Sequence, residues 1–407
     1  MSVVAENAKH LIDDTLARRN AMVLAVTQAL AGGNNTILLA TGAIVGAMLA
    51  PSKALATVPI TVYVIGMWLG TLPVGALAHR FGRRTAFQVG SLCGILTGII
   101  CCIAVLQGSF VLFNVGAVFS GFYAAAHQAY RFAAADTASE AFRPKAISFV
   151  LIGGIFAAII GPQIVILTKD MWPPYLFAAT YSAQAVVAAI AGLTLMLLKI
   201  PMPPVMSKSQ SGRPISVIAR QPKFIVAVAC GIASYAMMNM VMTAAPLAMI
   251  ECSHSVTDAA LGLQWHVLGM YAPSFFTGTL IARFGVERVI GAGFVLLIAS
   301  AAISIAGITL WHFWVGLVLL GMGWNFGFIG ATTLVTQTHR PEERTRVQSF
   351  NDFLVFGSMA IGSFGSGKVL ATFGWAAVNQ IIFPVVLTAG AMLLWLVLRG
   401  GAKAQDG

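Results

Sequence analysis

The chain has 407 residues, of which 58% are hydrophobic and 9% charged. Charged residues run near a quarter in soluble domains, so the composition excludes an ordinary soluble protein. At roughly 20 apolar residues per membrane span, about twelve spans use up the length and exclude any large extramembrane domain. The net charge of +11 raises nucleic acid as a partner, a possibility that the placement of the charges decides.

The N-terminal tail, 1–20, is polar and mixed in charge, with no short apolar core ahead of a small-residue cleavage site. No cleaved signal peptide is expected, and the first span stays as a helix. Apolar runs bounded by charge or by Gly and Pro predict helices near 21–48, 55–78, 85–106, 109–135, 145–168 and 173–199. A second set follows near 223–248, 258–282, 287–308, 312–338, 346–371 and 375–398. The fold class expected is therefore all-α: a membrane protein of twelve transmembrane helices in two six-helix bundles. The stretch 200–222, with Pro201, Pro203, Pro204, Pro214 and Pro222 among Ser and Lys, is a polar linker between a bundle over 21–199 and one over 223–399. A short tail, 400–407, closes the chain. Gly66 with Gly70, and Gly90 with Gly94 and Gly98, put small residues on one helix face, which lets neighbours approach closely. Cys93, Cys101, Cys102, Cys230 and Cys252 lie in or beside apolar runs without metal-ligand spacing. They are expected as small buried residues, with no metal and no cofactor.

Alternate loops differ sharply in charge. One side takes the N-terminal tail, Arg80 with Arg83 and Arg84, Arg143 with Lys145, and the linker. The same side takes Arg283 with Arg288, Arg340 with Arg344 and Arg346, and the C-terminal tail. With Lys199 and Lys223 counted at the linker and Arg399 at the C-terminal tail, these segments hold twenty of the 24 basic residues. The other side has Lys53 and Lys169, with Lys368 near a helix end. By the positive-inside rule both termini and the linker are expected in the cytoplasm. The charge thus expresses topology, and nucleic acid is not expected as a partner.

Between the second and third apolar runs lies Gly75-Ala76-Leu77-Ala78-His79-Arg80-Phe81-Gly82-Arg83-Arg84. A looser copy recurs from Gly278 through Arg283 and Gly285 to Arg288, 203 residues on. A turn repeated at half-length between apolar helices marks an internal duplication. The first copy resembles the G-x-L-a-D-R-x-G-R-R/K signature of the major facilitator superfamily, through Gly75, Leu77, Arg80, Gly82, Arg83 and Arg84. His79 stands where the family has Asp. The resemblance implies a bacterial inner-membrane transporter, not an enzyme, that rocks two halves around a midplane solute site lined by helices 1, 4, 7 and 10.

Polar residues within apolar helices are costly unless they pair or face a water-filled cavity. Asn34, Asn35, Asn239 and Asn325 fall near the middle of such helices, as contacts for a solute or as interhelical hydrogen-bonding glue. Tyr123 and Trp324 are candidates for a cavity wall or for core packing. Arg131 lies roughly 12 Å on the cytoplasmic side of Tyr123 at the helical rise. It is set to bind an anionic or carbonyl group, to snorkel, or to pair with Asp136. His127 and His266 are either proton-coupling groups or simply hydrogen-bonded. Asp352, early in helix 11, is a further proton-coupling candidate. By the resemblance it is also the carboxylate of a cytoplasmic latch to His79 or Arg83, with Asp136 as another partner for Arg83. Gly75, Arg80 and Gly82 complete that gating set.

Gly362 to Lys368 fits half of a phosphate-binding loop, but Val369 replaces the required Ser/Thr and no strand precedes it. It is expected to be chance. Drug/proton antiporters of the superfamily carry an Arg in helix 4 where this chain has Ala117. Their G-P-x-x-G-G ending survives only as Gly161-Pro162, followed by Val165-Ile166. These departures favour uptake of a small organic, vitamin-like solute such as a flavin over efflux of drugs or metabolites. A membrane enzyme would need a nucleophile–base cluster that is not seen, and a sensor would need a signalling domain for which there is no room. The expected partners are a small organic solute, the lipid bilayer and possibly protons, with the protein acting as a monomer.

Overall fold

The computed structural model describes residues 14–136, 138–139, 142–200, 212–340 and 343–405. Among the described residues the chain is helical and carries no strand. α1 runs Asp14–Leu49 and α2 Val58–Phe81, joined by a 3-10 turn at Lys53–Leu55 that the Ser52 side chain caps. α3 is Arg83–Gln107, and α4 is Phe110–Gln128, resumed after Ala129 as Tyr130–Asp136. α5 (Arg143–Thr168) and α6 (Ala178–Leu195) complete the first set. After a short helix at Ile215–Ala219 come α7 (Pro222–Glu251) and α8 (Val256–Tyr271, resumed as Ser274–Phe284). α9 is Val286–Ala306 and α10 Leu310–Thr336. The last long run, Arg344–Gln380, turns at Gly374 (φ 78°), which divides α11 (344–373) from α12 (375–380, continued as Ile382–Gln405).

Among the described residues ten stretches are long and apolar enough to cross a membrane, and one of them, Arg346–Arg399, holds both α11 and α12. α8 is missing from the ten because it is broken. The sequence predicts an uninterrupted helix over 258–282, but Pro273 follows Ala272 at the break. Proline has no N–H to give and its ring crowds the preceding turn.

Local chemistry explains several ends. The Ser109 hydroxyl accepts from the Leu112 N–H at the start of α4, and Ser255 with Asp258 forms a reciprocal capping box at α8. The repeated turn has one backbone conformation in both copies. Gly82 has φ 85° and ψ 158°, and Gly285 has φ 89° and ψ 153°. A side chain is strained there, so glycine is required twice, 203 residues apart.

The chain forms two compact units: Met1–Thr41 with Ile65–Val205, and Gly42–Val64 with Met206–Gly407. In the first, α3 packs along α4 and α6, and the second piece of α4 packs on α5. Its core gathers Phe87, Tyr123, Tyr130, Leu24 and Leu195. In the second, α7 packs against α10, α11 and α12, while α9 packs against α10. The 3-10 turn at Lys53–Leu55 rests on α11, which is why the end of α1 and the start of α2 belong with the second unit.

Candidate solute-binding and gating residues

The amides of α1 separate into two kinds. Asn34 is fully buried, and its Nδ2 donates to the Gln184 carbonyl (3.1 Å) while Gln184 Nε2 donates to the Asn34 carbonyl (3.2 Å). That reciprocal pair ties α1 to α6. Asn35 is half-buried, and its Oδ1 is shielded with no hydrogen-bond partner. The Asn34 Oδ1 is likewise buried without a partner, so the two amides differ in the pairing of Asn34 with Gln184 and not in having an acceptor left over.

On α4, Tyr123, His127 and Tyr130 follow one another at helical spacing. The His127 ring meets Tyr123 edge-on at 6.4 Å and Tyr130 at 6.3 Å. Gly94 of α3 gives the Tyr123 ring its room, since a Cβ there would sit 2.5 Å from it. Both ring nitrogens of His127 are buried without a partner, while the Tyr123 and Tyr130 phenols lie toward the Ser91 hydroxyl of α3. A buried polar group left unsatisfied costs about 1–3 kcal/mol, so the buried His127 ring calls for water or a polar partner. Arg131 points outward with its guanidinium 4.9 Å from the Phe132 ring. Asp136 ends α4, and its side chain lies outside the described residues.

The second unit is arranged otherwise. Tyr235 of α7 meets Trp324 (5.2 Å), Phe328 (4.7 Å) and Phe356 (5.9 Å) edge-on, and Trp324 stacks on Phe328 at 17°. Trp324 is 8% exposed and its indole N–H has no partner. Asn325 is knitted into the break in α8: its Nδ2 donates to the Met270 carbonyl (2.6 Å) and the Ser274 hydroxyl (2.7 Å), and its Oδ1 accepts from Thr277 (2.6 Å). Asn239 Nδ2 donates to the Met359 carbonyl of α11 at 3.3 Å. His266 is buried with Nδ1 2.8 Å from the Leu317 carbonyl, while its Nε2 has no partner.

Two further contacts involve α11. The Gly362–Lys368 stretch lies inside it as helix, with Ser363 and Gly367 one turn apart. The Thr61 hydroxyl donates to Ser363 Oγ at 3.3 Å, and a Cβ on Gly367 would fall 2.3 Å from Thr57 Oγ1. The resemblance to a phosphate loop is therefore a small-residue face that admits the start of α2. Just ahead of α11, Glu343 is fully buried and held by Arg213: Oε1 accepts from Nε (2.9 Å) and the backbone N–H (2.8 Å), and Oε2 accepts from Nη2 (2.8 Å). The Arg340 N–H also donates to Oε2. The Arg213 hydrogen bonds, then that from Arg340, hold the Glu343 carboxyl well below the usual carboxylate range. Asp352 accepts from Asn351 at 3.1 Å. In the first unit Gly75, His79 and Arg80 are exposed, Arg83 is half-buried and Gly82 buried.

Sequence reasoning did not single out Gln184, Ser91, Tyr130, Thr61 or the Arg213–Glu343 pair. A lone amide in an apolar run at Gln184 and a lone carboxylate among basic loop residues at Glu343 were the available signals.

The helical fold and its repeated turn agree with a match to the Major Facilitator Superfamily model over residues 24–263 and 227–406. The chain belongs to that family of transporters, which work by alternating access, and it is a multi-pass protein of the bacterial inner membrane that handles a small molecule. It is 44% identical over 397 residues to the riboflavin transporter RfnT of Brucella anthropi, covering 97% of this chain and all of that one. It is 31% identical over 378 residues to the MFS-type transporter YddS of Bacillus subtilis, at 86% of each chain. The xylose transporter XylE of E. coli, in a partially occluded inward-open conformation, has the same fold: TM-score 0.71 at 12% identity, covering 94% of this chain and 98% of that one.

Proposed function

We propose that this transporter carries riboflavin into the cell. The observation that carries the reading is the 44% identity to a riboflavin transporter along the whole of both chains. The side chains suit such a solute. Riboflavin joins a flat heterocycle with amide-like edges to a polyhydroxy tail. In the second unit, Tyr235, Trp324, Phe328 and Phe356 supply aromatic surface, and the Trp324 N–H is an unused donor. In the first unit, the Asn35 carbonyl is an unused acceptor. Stacking against aromatic rings contributes about 0.5–1.5 kcal/mol per pair beyond area burial, which makes Trp324 the first residue to test.

Within this reading Asn35 and Trp324 contact the solute, while Asn34, Asn239 and Asn325 hold helices in place. Both termini are cytoplasmic in this reading. Expression in a bacterial host that can neither make nor import riboflavin is the direct test. Growth on micromolar-range riboflavin that Trp324→Ala abolishes supports the reading, and no growth above the empty-vector control refutes it.

A further inference from the structure

The transport reading leaves one feature of the second unit unused. α7 and α12 lie side by side, and between them run two cavities of about 450 and 460 Å³ that share Met392. The lining recurs at Pro222, Val226, Ala229 and Ala233 on α7, and at Pro384, Thr388, Met392 and Trp395 on α12. Steps of three and four residues place each set on one helix face. Pro222 shares a cavity with Trp395, and Ala233 shares the other with Pro384, so the two faces run antiparallel. Each face spans twelve residues, and the eleven steps between its ends make roughly 16 Å at the helical rise. One leaflet of a hydrocarbon core about 30 Å thick is about 15 Å deep. Thr388 is the one polar side chain in the lining.

The groove is charged at one end only. Four residues beyond Trp395 on the same face stands Arg399, exposed, with its guanidinium 4.3 Å from the Trp395 ring centroid. Lys223 follows Pro222 at that end. Residues 222–250 and 375–399 contain no Asp or Glu, so neither helix supplies a carboxylate to neutralise Arg399 there. Trp395 is 41% exposed, in keeping with tryptophan at a membrane–water boundary.

We propose that this groove binds an anionic phospholipid. One acyl chain lies along the apolar stripe, and the phosphate meets Arg399 beside Trp395. A zwitterionic lipid fits the stripe equally well but brings its own cation to the basic end. The groove therefore selects on headgroup charge.

Native mass spectrometry of the full-length protein in mild detergent tests this, with phosphatidylglycerol and phosphatidylcholine of identical chains as probes. The wild type retains phosphatidylglycerol about five-fold better, the ratio that about 1 kcal/mol for a basic residue at an anionic surface gives. Arg399→Gln removes the preference and Arg399→Lys keeps it. Thr388→Phe, which fills the groove from an exposed position, lowers retention of both lipids. Equal retention of the two lipids by the wild type, or a preference that survives Arg399→Gln, overturns the proposal.

Discussion

The two halves share a backbone plan and spend their side chains differently. At positions 203 residues apart, α1 and α7 carry Gly32 and Tyr235, and α4 and α10 carry Gly121 and Trp324. Gly32 meets Ala157, where a Cβ would come within 2.7 Å; Tyr235 and Trp324 instead meet each other. The first unit keeps close backbone approach and leaves Asn34, Asn35 and His127 with unused polar atoms. The second unit has an aromatic cluster and places all three Asn325 hydrogen bonds within itself. A duplicated scaffold can thus carry unused polar atoms in one copy and an aromatic cluster in the other.

Substitutions can break or sharpen that contrast. The largest effect is expected at Gly367. Leucine there drives into Thr57, and riboflavin uptake falls at least about ten-fold, since overpacking of a close contact costs about 1–3 kcal/mol. Full uptake by Gly367→Leu would show that the α11 contact with Thr57 has no part in the transport cycle. Next, Trp324→Ala weakens riboflavin binding about ten-fold by flavin-fluorescence titration, with Trp324→Phe keeping most of the affinity. Asn325→Ala lowers stability by about 3 kcal/mol, at about 1 kcal/mol for each of its hydrogen bonds. Asn35→Ala leaves the melting temperature unchanged and raises KM for uptake. If the two asparagine variants behave alike, the contrast between the units fails.

A smaller effect is expected at Glu343. Its folded carboxyl is held low, so the clamp with Arg213 is fully formed above the ordinary glutamate value of about 4.3. It is lost only as pH falls through the lowered value. Glu343→Gln therefore reduces the melting temperature by a constant amount from about pH 5 to 8, and the difference shrinks on stronger acidification. A difference that instead grows below pH 5 would contradict the sign of the shift. The smallest is the Asn34–Gln184 pair, for which a double-mutant cycle should give a coupling of about 1 kcal/mol.

Much of the fold was legible because membrane spans and the repeated turn are written locally. Apolar runs gave the helices, and Gly82 and Gly285 mark turns whose φ demands glycine. The break in α8 was signalled by Pro273 but read through, since proline within a span is tolerated when neighbours satisfy the freed groups. Here Asn325 does so. The site was less legible. Asn34 and Asn35 are adjacent and alike in sequence and both keep an unused Oδ1, yet it is Asn34 that pairs with Gln184. Which of two neighbouring amides meets another helix depends on α6, about 150 residues away, and no local pattern carries that information. The Gly362–Lys368 stretch is helix within α11. Its small-residue face became visible only with Thr57 and Thr61 against it.

The central claim is riboflavin transport, and counterflow in proteoliposomes tests it most directly. Purified protein is reconstituted with unlabelled riboflavin inside, and tracer riboflavin is added outside. The account predicts transient tracer accumulation that is saturable, competed by excess riboflavin but not by xylose, and diminished by Trp324→Ala. Tracer uptake no greater than in protein-free liposomes, from protein shown to be folded and inserted, would contradict it.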